Sequence, residues 1–227
     1  MSEPRHALVT GASSGIGAAI VERLLHDGWH VTGISRSAQP ERSGYTHLAL
    51  DLLQADRAAI ADALAGLRIN ALVHAAGVLR VGRLGELNEA DGREMWRLHV
   101  DAAVLLADVL IPTMTDGDRV VLVGSRVANG AVSRSQYAAS KAALVGLARS
   151  WAAEVAPRGI TVNIAAPGAT DTPMLQDPKR LASPPRLPPT GRLVQPTEVA
   201  ALVAFLLSPD ARSITGQQIL LCGGASL

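Results

Sequence analysis

Cysteine is almost missing from this chain. Cys222 is the only one among 227 residues, so no disulfide can form within the chain, and the composition suits a reducing compartment. Long apolar runs are missing too. No stretch of 18 or more apolar residues is present, as a membrane-spanning helix would require. The early run His6-Ala7-Leu8-Val9-Thr10 is too short for a signal-peptide core. The net charge is only +1, which gives no electrostatic footprint for nucleic acid. These absences predict a soluble, cytoplasmic protein with neither nucleic acid nor membrane as partner. Internal repeats and domain-splitting linkers are also lacking, so 1–227 reads as a single domain. Apolar residues make up 48% of it, enough for a sizeable core. Lysine is scarce as well: Lys141 and Lys179 are the only two, and nearly every other basic position is arginine. Where a chain otherwise uses arginine, an isolated lysine points to a need for a compact ammonium on a flexible stem.

Lys141 ends the stretch Ser135-Gln136-Tyr137-Ala138-Ala139-Ser140-Lys141, and the residues after it, 142–156, are rich in helix formers. One helix is expected over 135–156. Residues four apart share a helix face, so the Tyr137 phenol and the Lys141 ammonium can act together. Taken alone, the pair reads first as a surface i,i+4 contact on an amphipathic helix; the rest of the chain reverses that.

The start of the chain carries a second signal. A short apolar strand, 7–10, runs into Thr10-Gly11-Ala12-Ser13-Ser14-Gly15-Ile16-Gly17, and a helical pattern follows over 18–26. Strand, glycine-rich turn and helix form the first half of a βαβ unit. The glycines let a pyrophosphate approach the backbone, and the helix N-terminus offers it free N–H groups. Gly11, Ser13, Ser14, Gly15, Ile16 and Gly17 are therefore candidate cofactor residues. The second strand, 30–34, ends in Ser35-Arg36-Ser37. A site for NAD usually has an acid here, about 20 residues after the turn, to hold the ribose 2′-OH. Arg36 suits a 2′-phosphate instead, with the serines donating hydrogen bonds. This predicts NADP over NAD; the alternative is an arginine that simply faces water.

Further strands are expected over 46–50, 71–74, 120–123, 161–165 and 218–221, with helices over 89–114 and 196–207. Asp51, followed by Leu52, stands at the end of the third strand, where it can accept from an adenine amino group or cap a helix beginning near Gln54. His74 lies in an apolar run and reads as a hydrogen-bonded core histidine rather than a ligand. Ala75-Ala76-Gly77 leave room for a nucleotide. Trp96, Val100, Val104, Leu105 and Ala107 fall on or near one stripe of the 89–114 helix. Residues 170–192 hold six prolines and no periodicity, which reads as a lid or substrate loop. Strands alternating with helices give an α/β class: a Rossmann-like, doubly wound parallel sheet of about seven strands. Every candidate residue lies at or beyond a strand's C-terminal end, where such sheets bind ligands.

With these residues in hand the chain resembles the short-chain dehydrogenase/reductase family over essentially its whole length. The resemblance rests on Thr10-Gly11-x-x-x-Gly15-Ile16-Gly17, Ala75-Ala76-Gly77, Ser125, Tyr137-x-x-x-Lys141, Pro167-Gly168 with Thr172, and the ending Gly191-Arg192…Glu198-Val199-Ala200…Ser208…Ile214-Thr215-Gly216-Gln217…Gly223-Gly224. It implies that Tyr137 is the general acid/base, that Ser125 hydrogen-bonds the substrate oxygen, and that Lys141 favours the phenolate and binds the nicotinamide ribose. A phenol brought from about 10 down by about 3 units needs about 4 kcal/mol of charge stabilisation. Pro167, Gly168, Thr170 and Thr172 would hold the nicotinamide end. Three departures stand out. His99 occupies the place of an asparagine that completes a water relay to the lysine; either its imidazole joins the proton path or it only substitutes for the amide. His74-Ala75-Ala76-Gly77 replaces Asn-Asn-Ala-Gly. The Ser125–Tyr137 interval is one residue short.

The function implied is hydride transfer between NADP(H) and a secondary alcohol or ketone, with no metal required. A nucleotide-binding sensor or scaffold without chemistry is the alternative, motivated by His99. An epimerase or dehydratase of the longer related family would need a substrate domain this chain lacks. The substrate pocket is expected from 78–84, 127–133 and 170–192, where Leu79, Val81, Val127 and Leu187 are apolar and Arg80, Arg83 and Arg186 either meet an anion or face water. The resemblance also implies a homodimer or homotetramer built on the helices at 89–114 and 135–156 and the last strand, with Ala142, Ala143, Leu144, Leu147 and Trp151 as an apolar face.

Overall fold

A computed structural model of the chain describes residues 5–40, 42–175 and 186–227. The strands are β1 (His6–Thr10), β2 (His30–Ser35), β3 (Tyr45–Ala49), β4 (Ala71–His74), β5 (Arg119–Val123), β6 (Thr161–Pro167) and β7 (Gln218–Leu221). They form one sheet in the order β3-β2-β1-β4-β5-β6-β7, with every neighbouring pair parallel. Helices α1 (Gly15–His26), α2 (Arg57–Ala63), α3 (Glu89–Trp96), α4 (Ala102–Leu110), α5 (Ser135–Val155) and α6 (Pro196–Leu207) cover both faces.

The near-continuous apolar inner strands follow from that cover, since neither of their faces meets water. Side chains alternate between two cores. Leu8, Leu72, Val120, Leu122, Val162 and Ile164 point to one layer with Ile60 of α2, Leu106 of α4 and Leu144 of α5. Ala7, Val9, Val31, Val73, Val121 and Val123 point to the other, against Ile20 and Leu24 of α1 and Val203 and Leu206 of α6. Gly33 is needed for the second layer: a Cβ there would stand 2.3 Å from the Tyr45 hydroxyl.

Two expectations about helices need correction. The 89–114 helix is not continuous. A single π-turn, Arg97–Asp101, separates α3 from α4, and a 3₁₀ turn, Ile111–Thr113, closes the segment. The widened turn rotates the stripe, so Val100 and Ala107 are buried while Trp96 and Val104 are 45% and 37% exposed. Asp51 caps no helix: it accepts from the Leu53 N–H at 3.0 Å. Helix α2 begins later, at Arg57, where Asp56 accepts from the Ala59 N–H. Leu144 points into the core, leaving Ala142 as the exposed member of the anticipated apolar face. Of the 170–192 loop, 176–185 lie outside the described residues.

A polar knot ties the sheet at the edge opposite the strand C-termini. The Asp118 carboxylate, 2% exposed, accepts from Arg68 Nη2 at 2.6 Å, Asn70 Nδ2 at 3.1 Å and the Thr115 N–H at 2.7 Å. Asp118→Ala leaves these donors unmade in a buried place. Because Arg68 is half-exposed and partly solvated, we expect a loss of about 2–3 kcal/mol, read as a lower urea midpoint with an unchanged slope; an unaltered midpoint would show that water replaces the carboxylate without penalty.

Candidate active site

The strand order reverses between β1 and β4, and a crevice opens beyond their C-terminal ends, where open α/β sheets take their ligands. It is a cavity of about 350 Å³ lined by the turn from Gly11 to Gly17, by Ser35 and Arg36 after β2, by Asp51 and Leu52 after β3, by Ala75, Ala76 and Gly77 after β4, and by Thr172. Gly11 has φ +68°, and a Cβ on it would lie 2.9 Å from Ala76 Cα. A Cβ on Gly17 would lie 2.1 Å from the Gly11 carbonyl oxygen. Both glycines are thus required by close backbone approach. Thr172 packs on Gly15, whose added Cβ would meet its methyl at 3.3 Å. Helix α1 takes in the glycines at 15 and 17, starting three residues before the expected 18. Ser14 stands at its N-cap but its side chain does not cap, and the first turn holds no acid. The free N–H groups there suit an anion, so the residues present fit a dinucleotide's pyrophosphate.

At the far end of the crevice Arg36 is exposed and makes no salt bridge among the described residues. Ser35 does not face outward as a donor. Its buried hydroxyl donates to the Ser37 carbonyl at 2.9 Å and lies 3.0 Å from His47 Nε2, so it shapes the turn that carries Arg36.

The cavity walls do not include Ser125, Tyr137, Lys141, His99, Pro167, Gly168 or Thr170. Of these, Ser125, Tyr137, Lys141 and His99 gather around the first turns of α5. Lys141 is buried and its ammonium donates to the Val123 carbonyl at 2.9 Å. Burial pushes it down to about 7. Two residues beyond Val123, Ser125 is buried and its hydroxyl oxygen accepts from the Val127 N–H at 3.1 Å, which leaves its own proton available to a ligand oxygen. His99, on the π-turn, lies edge-on to Tyr137 with ring centroids 5.5 Å apart. A Cβ built on Gly77 would stand 3.1 Å from His99 Nε2 and 3.6 Å from Lys141 Nζ. The imidazole and the lysine therefore fill the space beside the glycine after β4. On the other side, the Gly168 N–H donates to the Leu221 carbonyl at 2.9 Å, and Thr170 Oγ1 donates to the Gly168 carbonyl at 3.1 Å, which fixes the turn after Pro167.

Several groups take roles that the one-dimensional pattern does not assign. Thr10 Oγ1 accepts from the Ala75 and Ala76 N–H groups at 3.1 and 3.0 Å and donates to His74 Nδ1 at 3.0 Å. His74 Nε2 then donates to the Leu98 carbonyl at 3.1 Å. His74 is thus a bonded core histidine, held neutral near 3 by burial and by the Lys141 charge. Arg134 lies in charge contact with Tyr137; burial lowers its guanidinium, the tyrosine raises it, and Arg126 lowers it. Ser133 just before it has φ +61°, a left-handed conformation uncommon outside glycine, and its carbonyl accepts from the Gly82 N–H at 3.0 Å. This bond ties the two expected pocket loops together. Arg80, left open as an anion contact, is paired with Glu94 at 3.0 Å. The Arg192…Glu198 portion of the C-terminal motif is structural: Arg192 forks onto Glu198 at 2.7 and 2.9 Å, and Glu198 closes a capping box with Gln195 on α6. Among the described residues no helix is long and apolar enough to cross a membrane.

Comparison with known proteins agrees with this geometry. The sequence profile of the family described as Enoyl-(Acyl carrier protein) reductase matches residues 11–226. The 3-oxoacyl-(acyl-carrier-protein) reductase FabG of Vibrio cholerae is 36% identical over 240 residues, covering 98% of this chain and 97% of its own. A short chain dehydrogenase family protein from Francisella tularensis superposes with a TM-score of 0.90 at 26% identity, covering 98% and 99% of the two chains. A short chain dehydrogenase from Burkholderia cenocepacia, solved in complex with NADP, superposes with a TM-score of 0.86 at 32% identity, covering 98% of each. Sequence, sheet order and the arrangement around α5 therefore agree that this chain belongs to the short-chain dehydrogenase/reductase family of oxidoreductases.

Proposed function

We propose that the protein is an NADP(H)-dependent oxidoreductase that interconverts a secondary alcohol and its ketone. The observation that carries this reading is the buried Lys141 ammonium on the helix that bears Tyr137, placed beside Gly77, which lines a nucleotide-sized crevice. When bound, NADP(H) supplies or takes up the hydride. Tyr137 transfers the proton to or from the substrate oxygen. Lys141 holds positive charge beside it, which favours the phenolate, and reaches toward the ribose. Ser125 donates its free proton to the same substrate oxygen and orients the reacting carbon. The turn from Gly11 to Gly17 and the α1 N-terminus bind the pyrophosphate. Ala75, Ala76, Asp51 and Leu52 wall the adenosine side, and Pro167, Gly168, Thr170 and Thr172 frame the nicotinamide side.

Arg36 at the far end selects the 2′-phosphate, in keeping with the NADP found in the Burkholderia relative. A charge-assisted contact at an exposed site is worth about 1.5 kcal/mol, so Arg36→Glu is expected to weaken NADPH binding roughly 10-fold or more and to leave NADH binding within about twofold. The test of the whole reading is a melt and a turnover assay: NADPH raising the melting temperature well above NADH, and NADPH being consumed with a panel of carbonyl compounds. The Vibrio relative's name puts 3-oxoacyl thioesters first in that panel. A larger shift with NADH would reverse the cofactor assignment, and a shift without turnover of any carbonyl would favour a nucleotide-binding sensor. For assembly we propose a homodimer or homotetramer, supported by Trp96 at the end of α3, Val104 on α4 and Leu220 on β7, each about 40% exposed.

A further inference from the structure

We infer that His99 and Ser140 form a positioning pair, in which the bond to Ser140 seats the backbone of Tyr137 and the bond to Val78 holds the turn beside the crevice, and that no proton passes through the imidazole. The inference rests on the proposed role of Tyr137, and it starts from the bonding of one ring. His99 is fully buried. Its Nε2 lies 3.0 Å from the Val78 N–H, and its Nδ1 lies 2.9 Å from Ser140 Oγ. A backbone N–H can only donate, so Nε2 is the acceptor and carries no proton. The ring proton is therefore on Nδ1 and is donated to Ser140 Oγ. That hydroxyl directs its own proton to the Tyr137 carbonyl at 2.8 Å. The bonds run in one direction, from the turn after β4 through the ring and the serine to the backbone of the tyrosine.

Every donor and acceptor on the ring is occupied within the protein. To accept a proton at Nε2 the imidazole must first break its bond to Val78, and burial together with the Lys141 charge opposes any such protonation. The chain of bonds ends on a carbonyl oxygen, which has no proton to pass on. What the arrangement can do is hold. It joins three segments that the chain brings in separately: the end of β4, the π-turn and helix α5. Ser140 also gains a reason to exist. A serine inside a helix competes with backbone bonding and is a neutral-to-poor choice there; this one is 1% exposed and bonded on both sides. Residue 99 and residue 140 thus fit as a unit, with the imidazole long enough to span from α5 to the turn.

The length of the imidazole supplies the test. An asparagine amide reaches where Nδ1 sits, and a glutamine amide reaches where Nε2 sits; neither can relay a proton. His99→Asn keeps the bond to Ser140, so kcat is expected within about threefold of wild type while the Kd for NADPH, read by its fluorescence, rises severalfold. His99→Gln keeps the bond to Val78, so the Kd is expected near wild type while kcat falls about 10-fold. Ser140→Ala is expected to lower kcat about 10-fold with the Kd unchanged. In all three the pH profile of kcat keeps its wild-type inflections. A proton relay instead requires both His99 variants to lose activity together with a displaced limb of that profile, and that result overturns the inference. So does Ser140→Ala with wild-type kcat. Should Ser140→Ala fail to fold, the contrast between the two His99 variants decides alone. If wild type turns over no carbonyl, or Tyr137→Phe turns it over equally well, the proposed reaction is wrong; the pair is then judged by NADPH binding, where equal Kd values for His99→Asn and His99→Gln overturn it.

Discussion

Tyr137→Phe is expected to lower kcat for carbonyl reduction by about 10²–10⁴-fold, the range that a positioned acid/base contributes, with little change in the Kd for NADPH. In barrier terms that is about 3–5 kcal/mol. The change removes one oxygen and keeps the ring. The edge-on contact with His99 at 5.5 Å is a ring contact and survives. The bond from Ser140 goes to the Tyr137 main chain and survives as well. Helix α5 therefore keeps its seat, and the loss falls on proton transfer rather than on folding or binding. Single-turnover kinetics separate these quantities: the hydride step slows while the NADPH fluorescence titration stays where it was. Undiminished turnover in the variant would remove Tyr137 from the chemistry and, with it, the proposed mechanism.

Replacing Lys141 by methionine is expected to abolish turnover and, at the same time, to stabilise the protein. The ammonium sits fully buried with the Val123 carbonyl as its bonded partner, and desolvation brings it from 10.5 to about 7. The sign follows from proton counting. Between about 7 and about 10.5 the unfolded chain binds the proton more often than the folded chain does, so this group makes stability rise with pH across that window. Well below 7 its full burial cost applies, about 5 kcal/mol at 1.36 kcal/mol for each pH unit between 7 and 10.5, and at pH 7 about 4 kcal/mol of it is felt. Methionine removes that cost but leaves the Val123 carbonyl without its donor, a loss of about 1 kcal/mol. The net gain at pH 7 is about 3 kcal/mol, or roughly 6–12 °C in melting temperature for a chain of this size. Urea unfolding of both proteins from pH 7 to pH 10 isolates the term: the difference between them is largest at pH 7 and shrinks toward pH 10. A variant less stable than wild type at pH 7 would mean that water reaches the ammonium. Activity and stability are opposed at this residue because a charge useful to a tyrosine is also a charge taken out of water.

The same residue shows what could be read without coordinates. Lys141 was conspicuous because lysine is so rare, and its distance of four from Tyr137 put both on one helix face. The glycine turn, the alternation of strands with helices and the apolar strands were legible for a similar reason. They are local patterns, in which spacing along the chain is spacing in space. The order of the strands beyond local βαβ pairing, and so the position of the crevice, follows from which strand ends meet. Arg36 at the end of β2 could be assigned a charge and a place from the sequence, whereas the turn of its neighbour Ser35 toward Ser37 and His47 required β3 to lie beside β2.

Other features only the tertiary structure decided. A run of apolar residues with period near four reads as one helix, so the π-turn at 97–101 could not be seen in the pattern of 89–114; it carries His99, buried and bonded to Val78 after β4 and to Ser140 of α5. His99 itself was a titratable side chain with two open readings, and the choice between them turns on Val78 and Ser140, which lie 21 and 41 residues away along the chain. Thr10 stands in the glycine motif without a role and Arg134 gives no sign, because a hydroxyl or a guanidinium acquires its role from the particular backbone groups and charges that folding brings close. Sequence alone determined the class of fold and the residue types of the chemistry, since those depend on short-range periodicity and composition. Which atoms face each other, and hence whether the imidazole carries a proton or holds a helix, depended on contacts between distant segments that only packing of the whole chain creates.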